Sequence, residues 1–327
     1  MVSFSIVSAA ALVVAAFAAT DGGQTPFKPH QGVAPPLLGF GTWNLKVSPD
    51  NTTEAVALAI QTGYRHIDAA AIYGNQVAVG KGIADGLERA GLQRDDIWVT
   101  SKLWNDHHGD QETVDAALSK TLEELGLEYL DLYLMHWPVG SSGDYDYVET
   151  WKSMEKLLPT KTRSIGVANF SPHQLKKLLR SSTVTPSVHQ MELHPYLQQE
   201  EWVQFHQKHG IHVTAYSPLG NTNPTYRRSS QKKAPLLVEN PELERIAEQR
   251  GCTVAQVALA WGIERGTSVI PKSSHESWIK ENFEAVECGL IDADMDKIEK
   301  IGDKYLARFN NPSRSWGVDL FEGLDDA

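Results

Sequence analysis

Cysteine is nearly missing: Cys252 and Cys288 are the only two in 327 residues, with no C-x-x-C and no metal-type spacing. Neither a disulfide framework nor a zinc site is expected from them. Positive charge is also short. Lys and Arg number 30 against 41 Asp and Glu, for a formal net charge of -11, and no basic stripe interrupts the acidic balance. Nucleic acid is therefore not an expected partner; a well-solvated acidic surface is. Long apolar runs are confined to the start, where an Ala- and Val-rich stretch ends at Ala16-Phe17-Ala18-Ala19. It is short and serine-containing for a membrane span, so no stable membrane partner is expected. It has instead the apolar centre and small-residue end of a secretory leader, although no Lys or Arg precedes it.

What is present is a repeating alternation. Short β-rich runs recur at Leu37–Trp43, Tyr64–Ala69, Ile97–Leu103, Leu130–Trp137, Arg163–Asn169, Pro186–Leu193, His212–Leu219 and Thr267–Ser273. Helix-like stretches lie between most of them: Asn51–Thr62, Gln76–Arg89, Gly109–Leu125, Tyr145–Leu158, Ser171–Arg180 and Gln198–Lys208. Strand alternating with helix implies right-handed βα units, and eight of them in this length fit one closed α/β (β/α)8 TIM barrel. The organisation expected is a candidate leader at 1–19, a Gly- and Pro-containing lead-in at 20–36, and a single barrel domain from 37 to 327 that ends in an extended C-terminal loop.

Four polar residues stand just past successive apolar runs: Asp68 and Tyr73, Lys102, and His136. In a parallel barrel these are the catalytic, C-terminal ends of neighbouring strands. A tyrosine is too weak an acid to donate readily near neutrality, since its ordinary pKa is about 10. A nearby ammonium lowers that value, and a carboxylate holds the ammonium in place. Lys102 and Asp68 suit those parts, and His136 suits the task of orienting a substrate oxygen. Singly, Asp68 and Lys102 would be a structural ion pair, Tyr73 a packing residue and His136 an interior histidine; at adjacent strand ends they read together as a proton-transfer site.

Other patterns lead less far. Gly80, Gly82 and Gly86 approximate a glycine-rich fingerprint, but they fall inside a helical run and not at a strand-to-helix turn. His66, Asp68 and His136 could seed a metal-dependent hydrolase, yet the later strand ends offer Asn169, Gln190, Tyr216 and Lys272, which are poor ligands, so no metal is expected. Asn51-Thr52-Thr53 and Asn169-Phe170-Ser171 are glycosylation sequons.

From about Leu37 to the C-terminus the sequence resembles the aldo-keto reductase family, in particular its fungal-type aldehyde or aldose reductases and NADP-dependent glycerol dehydrogenases. The residues that carry the resemblance are Gly63-Tyr-Arg-His-Ile-Asp-Ala-Ala-Ala-Ile-Tyr-Gly-Asn75, Thr100-Ser-Lys-Leu-Trp104, Asp131-Leu-Tyr-Leu-Met-His-Trp-Pro138, Ser164-Ile-Gly-Val-Ala-Asn-Phe170, Gln190 to Tyr196, Ala215-Tyr-Ser-Pro-Leu-Gly220 and Val269-Ile-Pro-Lys-Ser273. The resemblance implies NADPH-dependent reduction of small aldehydes, sugars or ketones, reversible toward the alcohol, with Tyr73 as general acid, Lys102 and Asp68 tuning it, and His136 orienting the carbonyl. Nicotinamide would stack on Tyr216, with its carboxamide on Asn169 and Gln190; Ala168 stands where the family usually carries Ser. Ser217 and Leu219 would line the pyrophosphate under a flap from Gly220 to Leu236, in which Asn223 replaces an acidic residue of some relatives. The adenosine end would meet Lys272, Ser273, His275, Trp278, Glu281 and Asn282.

Trp43, Trp104 and Trp137 would wall the substrate pocket, completed by the tail Arg308–Phe321, and the short connection from Trp137 to Trp151 implies an open mouth. Trp278 stands where many relatives place an Arg against the 2′-phosphate, so NADPH is expected over NADH by a reduced margin. The partner expected is a small carbonyl compound, and the state a monomer or weak dimer. A cofactor-sensing regulatory subunit on the same barrel is the alternative. A glycan on Asn169 would destroy its cofactor contact, and this, with a reducing cofactor supplied inside cells, favours the cytoplasm.

Overall fold

A computed structural model describes residues 34–45, 48–140, 146–228 and 234–324. The proposed leader, most of the lead-in and part of the flap lie outside the described residues. Eight parallel strands follow one another in chain order. They are β1 (Phe40–Gly41), β2 (His66–Asp68), β3 (Trp98–Leu103), β4 (Leu132–Met135), β5 (Ile165–Ala168), β6 (Val188–Glu192), β7 (His212–Tyr216) and β8 (Ser268–Val269). Each falls inside one of the expected runs. Leu38 bridges Val269 in parallel, and the Gly39 and Gly41 amides donate to the carbonyls of Val269 and Pro271, so the last strand meets the first and the fold is a (β/α)8 barrel.

The helices are α1 (Pro49–Thr62), α2 (Gln76–Ala90), α3 (Gln111–Leu125), α4 (Tyr147–Glu155), α5 (Pro172–Ser181), α6 (Glu200–Lys208), α7 (Pro241–Arg250), α8 (Val254–Glu264), α9 (Glu276–Phe283), α10 (Asp292–Tyr305) and the short α11 (Ser313–Trp316). Their starts follow local chemistry. Ser48, Asp110, Asp146, Ser171, Asn240 and Thr253 each accept a backbone N–H of the first turn, satisfying donors that have no partner inside the helix. The strands are buried throughout, apart from the half-buried Tyr216 at the mouth. The glycines of α2 have a packing role: a Cβ at Gly80 would meet the Leu125 carbonyl oxygen at 2.3 Å, and one at Gly82 the Thr53 carbonyl oxygen at 2.6 Å. Absent side chains let α2 pack onto the backbones of α1 and α3.

One expectation fails. Cys252 and Cys288 form a disulfide across a sequence separation of 36, with Cα atoms 6.0 Å apart. Their spacing could not show this, because the turn between α7 and α8 and the segment after α9 are brought together only by the packing of α8 and α9. Closing a loop of this size stabilises the fold by roughly 3–4 kcal/mol through the unfolded chain. Among the described residues no helix is long and apolar enough to cross a membrane. No His, Cys, Asp and Glu cluster among them has the makings of a metal site.

Candidate active site

The barrel order places β2, β3 and β4 side by side, so the residues at their C-terminal ends converge. Lys102 Nζ donates to Asp68 Oδ1 at 2.6 Å, to the Ala69 carbonyl at 2.9 Å and to the Tyr73 hydroxyl at 3.1 Å. Lys102 and Asp68 are both 1% exposed, so the pair is fully withdrawn from water. A buried charge pair of this kind survives only when each partner is well coordinated. The second Asp68 oxygen accepts from Gln190 Nε2 at 2.7 Å, which supplies that coordination from the far side of the barrel. His136 follows β4 and meets the Tyr73 ring edge-on with centroids 5.9 Å apart. Its buried Nδ1 has no hydrogen-bond partner among the described residues.

The electrostatics are those of a protonated acid beside a neutral imidazole. Burial, reinforced by the Asp68 carboxylate, raises the Tyr73 phenol well above its ordinary value. The expected lowering by Lys102 is outweighed, because withdrawing a phenolate from water costs more than the ammonium returns. Burial also drives His136 well below the usual imidazole range, with the Lys102 charge adding to it. Lys102 itself is lowered by burial, opposed by Asp68.

A cleft of about 800 Å³ runs from these groups along the mouth. At one end Trp43, Trp104 and Trp137 line it, joined by Trp316 from the C-terminal tail. Trp316 meets Trp104 and Trp137 edge-on at 6.1 Å and 5.0 Å, so the tail completes that wall. The connection after Trp137 includes 141–145, outside the described residues, and so the openness expected of the mouth there lies partly beyond view. In the middle are Asn169, Gln190, Tyr216, Ser217 and Leu219. Tyr216 donates to Asn169 Oδ1 at 2.7 Å, and Asn169 Nδ2 donates to the His136 carbonyl at 2.9 Å. Asn169 adopts φ 62°, a left-handed conformation that Asn tolerates better than most residues.

The far end holds Lys272, Ser273, His275, Trp278, Glu281 and Asn282. Trp278 is 54% exposed and packs edge-on against His275, with centroids 4.3 Å apart. Ala168 lies buried at the end of β5 and does not line the cleft.

Some lining residues were not legible in the sequence. Tyr226, on the flap, stacks on Trp43 with centroids 5.7 Å apart and shares a 3.0 Å hydrogen bond with Ser217. Asn310, on the tail, donates to the Tyr216 hydroxyl at 3.2 Å, and its segment is pinned by the buried Glu192 carboxylate, which accepts the Phe309 and Asn310 amides. Thr253, Val254 and Ala255 reach the far end from the start of α8. All of these lie on connections or at a helix start whose position depends on tertiary packing; the aromatic content of the tail was the one available signal.

A closed parallel barrel with a buried Asp–Lys pair, a tyrosine and a histidine above a long cleft defines a (β/α)8 protein whose C-terminal mouth gathers groups of the kind that transfer protons. Comparison with known proteins gives the class a family. The model of the Aldo/keto reductase family matches residues 37–303. An uncharacterized oxidoreductase of Schizosaccharomyces pombe is 48% identical over 310 residues, covering 89% of this chain and 92% of that protein. The D/L-glyceraldehyde reductase of Hypocrea jecorina is 41% identical over 320 residues, with 89% and 92% covered. Among solved structures, the aldo-keto reductase of Bombyx mori in complex with NADP superposes with a TM-score of 0.81 at 33% identity, covering 90% of this chain and 97% of that one. The chain belongs to the aldo-keto reductase family, and with that membership to the oxidoreductases.

Proposed function

We propose that the protein is an NADPH-dependent reductase of small aldehydes, sugars or ketones, acting through Tyr73. The observation that carries this reading is the hydrogen bond from Lys102 to the Tyr73 hydroxyl, made by an ammonium that is itself held by buried Asp68. The cleft suits a dinucleotide: it is long, has amide and hydroxyl groups along its middle, and ends at Lys272, which has no carboxylate partner among the described residues and so can meet a phosphate. The bound cofactor supplies a hydride to the carbonyl carbon.

This chain's residues do the rest. Tyr216 would offer an aromatic face to the nicotinamide, and Asn169 and Gln190 would hold its carboxamide. The tryptophan wall keeps water from the reacting centre. His136, neutral because burial and Lys102 disfavour its cation, donates a ring N–H to the carbonyl oxygen and fixes its direction. Tyr73 then gives that oxygen its proton, and the Lys102 ammonium stabilises the phenolate left behind. A tyrosine whose acidity is suppressed by burial stays protonated until a substrate oxygen gathers negative charge, which confines the transfer to the transition state. At the far end Lys272 and Ser273 would hold the 2′-phosphate, and Trp278 would offer a stacking face but no charge.

The test is direct. Purified protein is mixed with NADPH and a panel of aldehydes and ketones, and cofactor consumption is compared with alcohol formed. Equal consumption and formation support the reading; cofactor binding without turnover of any carbonyl would leave a sensor of nicotinamide state in its place.

A further inference from the structure

The Cys252–Cys288 disulfide lies against the far end of the cleft. Cys252 is the residue before Thr253, whose side chain caps α8 and accepts the Gln256 amide at 3.2 Å. Thr253 also donates its hydroxyl to Glu281 Oε1 at 2.7 Å, and Gln256 Nε2 donates to the Glu281 carbonyl at 2.9 Å. Val254 and Ala255 at the start of α8 face the same end of the cleft as Trp278, Glu281 and Asn282 of α9. Cys288 follows the single turn Glu284–Glu287 that continues α9, and its amide donates to the Ala285 carbonyl at 3.2 Å. The two walls of this end are thus joined by two side-chain hydrogen bonds and one covalent bond, and the covalent bond is the one that thiol–disulfide exchange opens and recloses.

We propose that the disulfide is a redox-sensitive clamp on the adenosine end of the cofactor site. Closed, it holds the start of α8 and the end of α9 at the separation the adenosine half of the dinucleotide requires. Open, the walls keep two side-chain hydrogen bonds and the packing of α8 on α9, the competent spacing is populated part of the time, and cofactor affinity falls by that fraction. The proposal rests on the reading of the cleft as a dinucleotide site. The two residues differ in exposure: Cys288 is 4% exposed, whereas Cys252 is half-buried and is the side from which a thiol would approach.

With a low-molecular-weight dithiol as reductant, one thiolate attacks Cys252 Sγ. The S–S bond breaks, and Cys288 leaves as a thiolate and takes a proton. The second thiolate of the reagent then displaces Cys252 Sγ, which is protonated in turn. The protein gains two electrons and two protons, and the reductant departs as its cyclic disulfide. The catalytic groups at the other end of the cleft take no part, so the rate at saturating cofactor is left alone and the change is confined to binding.

The experiment uses the full chain, oxidised and after dithiol treatment with the reagent removed. Thiol titration of the denatured protein checks the two states, and NADPH dissociation constants are measured for both by tryptophan fluorescence. Expected are two titratable thiols only after reduction, a dissociation constant raised about fivefold or more, reversal on reoxidation, and an unchanged kcat at saturating NADPH. The double variant Cys252→Ala with Cys288→Ala should sit at the reduced value and ignore the dithiol. Equal affinity in the two states, or two free thiols that no mild oxidant closes, would overturn the clamp. Failure of both states to bind NADPH would overturn the dinucleotide reading itself, and the clamp with it.

Discussion

Gln190 donates its side-chain amide to Asp68 at 2.7 Å, so a residue proposed to hold the nicotinamide carboxamide is also a ligand of the carboxylate that holds Lys102. On the proposed function, cofactor binding and proton transfer are joined through one side chain. Gln190→Leu removes a donor to a buried charge, an interaction of about 1.5–3 kcal/mol, or roughly 10- to 150-fold. The expected result is a fall in kcat of about tenfold or more together with weaker NADPH binding. A change in the NADPH dissociation constant alone would mean that Gln190 serves only the carboxamide.

On the proposed function, the uncharged Trp278 leaves Lys272 as the charged contact for the 2′-phosphate in this part of the cleft. Trp278→Arg adds a guanidinium fork that a tryptophan cannot supply. The preference for NADPH over NADH should then widen by about 10- to 150-fold. Dissociation constants for both cofactors, in parent and variant, check this; an unchanged ratio would show the phosphate to be held elsewhere.

Much of this was legible because barrel chemistry is written at strand ends. Asp68, Lys102 and His136 each follow or close an apolar run, and the runs correspond to β2, β3 and β4, so adjacency in sequence order became adjacency in space. Tyr226, Asn310 and Thr253 had no such marker, since loops crossing a barrel mouth are placed by what they land on. The cysteine pair shows the same limit: 36 residues of intervening chain carry no sign that the turn before α8 and the end of α9 touch. The acidity of Tyr73 was misjudged for a related reason, because burial, which outweighs the lysine, appears only once the site is folded.

Acid should destabilise the fold earlier than carboxylate protonation alone would. Burial holds His108 and His206 down to about 4, and His66 and His212 to about 3. Below the ordinary value near 6.5 the unfolded chain takes up protons that these folded histidines refuse, so stability is full above that pH and falls as pH drops toward the folded values. Each contributes up to about 1.4 kcal/mol per pH unit in that window. Thermal unfolding should show Tm declining between about pH 7 and pH 5; a flat Tm there would contradict the neutral state of these histidines.

Packing of α2 on α3 leaves no room at Gly80, where a Cβ would sit 2.3 Å from a backbone oxygen. Gly80→Ala must push the two helices apart and should cost about 1–3 kcal/mol. Denaturant unfolding reads that loss, while NADPH affinity should stay near the parent value because both helices lie outside the cleft. An alanine accepted without loss of stability would contradict the close approach.

The role of Tyr73 is tested most directly by Tyr73→Phe, which removes one oxygen from the site and leaves the ring in place. General acids contribute about 10²- to 10⁴-fold. Single-turnover reduction of an aldehyde by the preformed NADPH complex should slow by that factor, with the NADPH dissociation constant within about twofold of the parent. Reduction within a few-fold of the parent rate would mean that another group supplies the proton, and that the Lys102–Tyr73 hydrogen bond is structural.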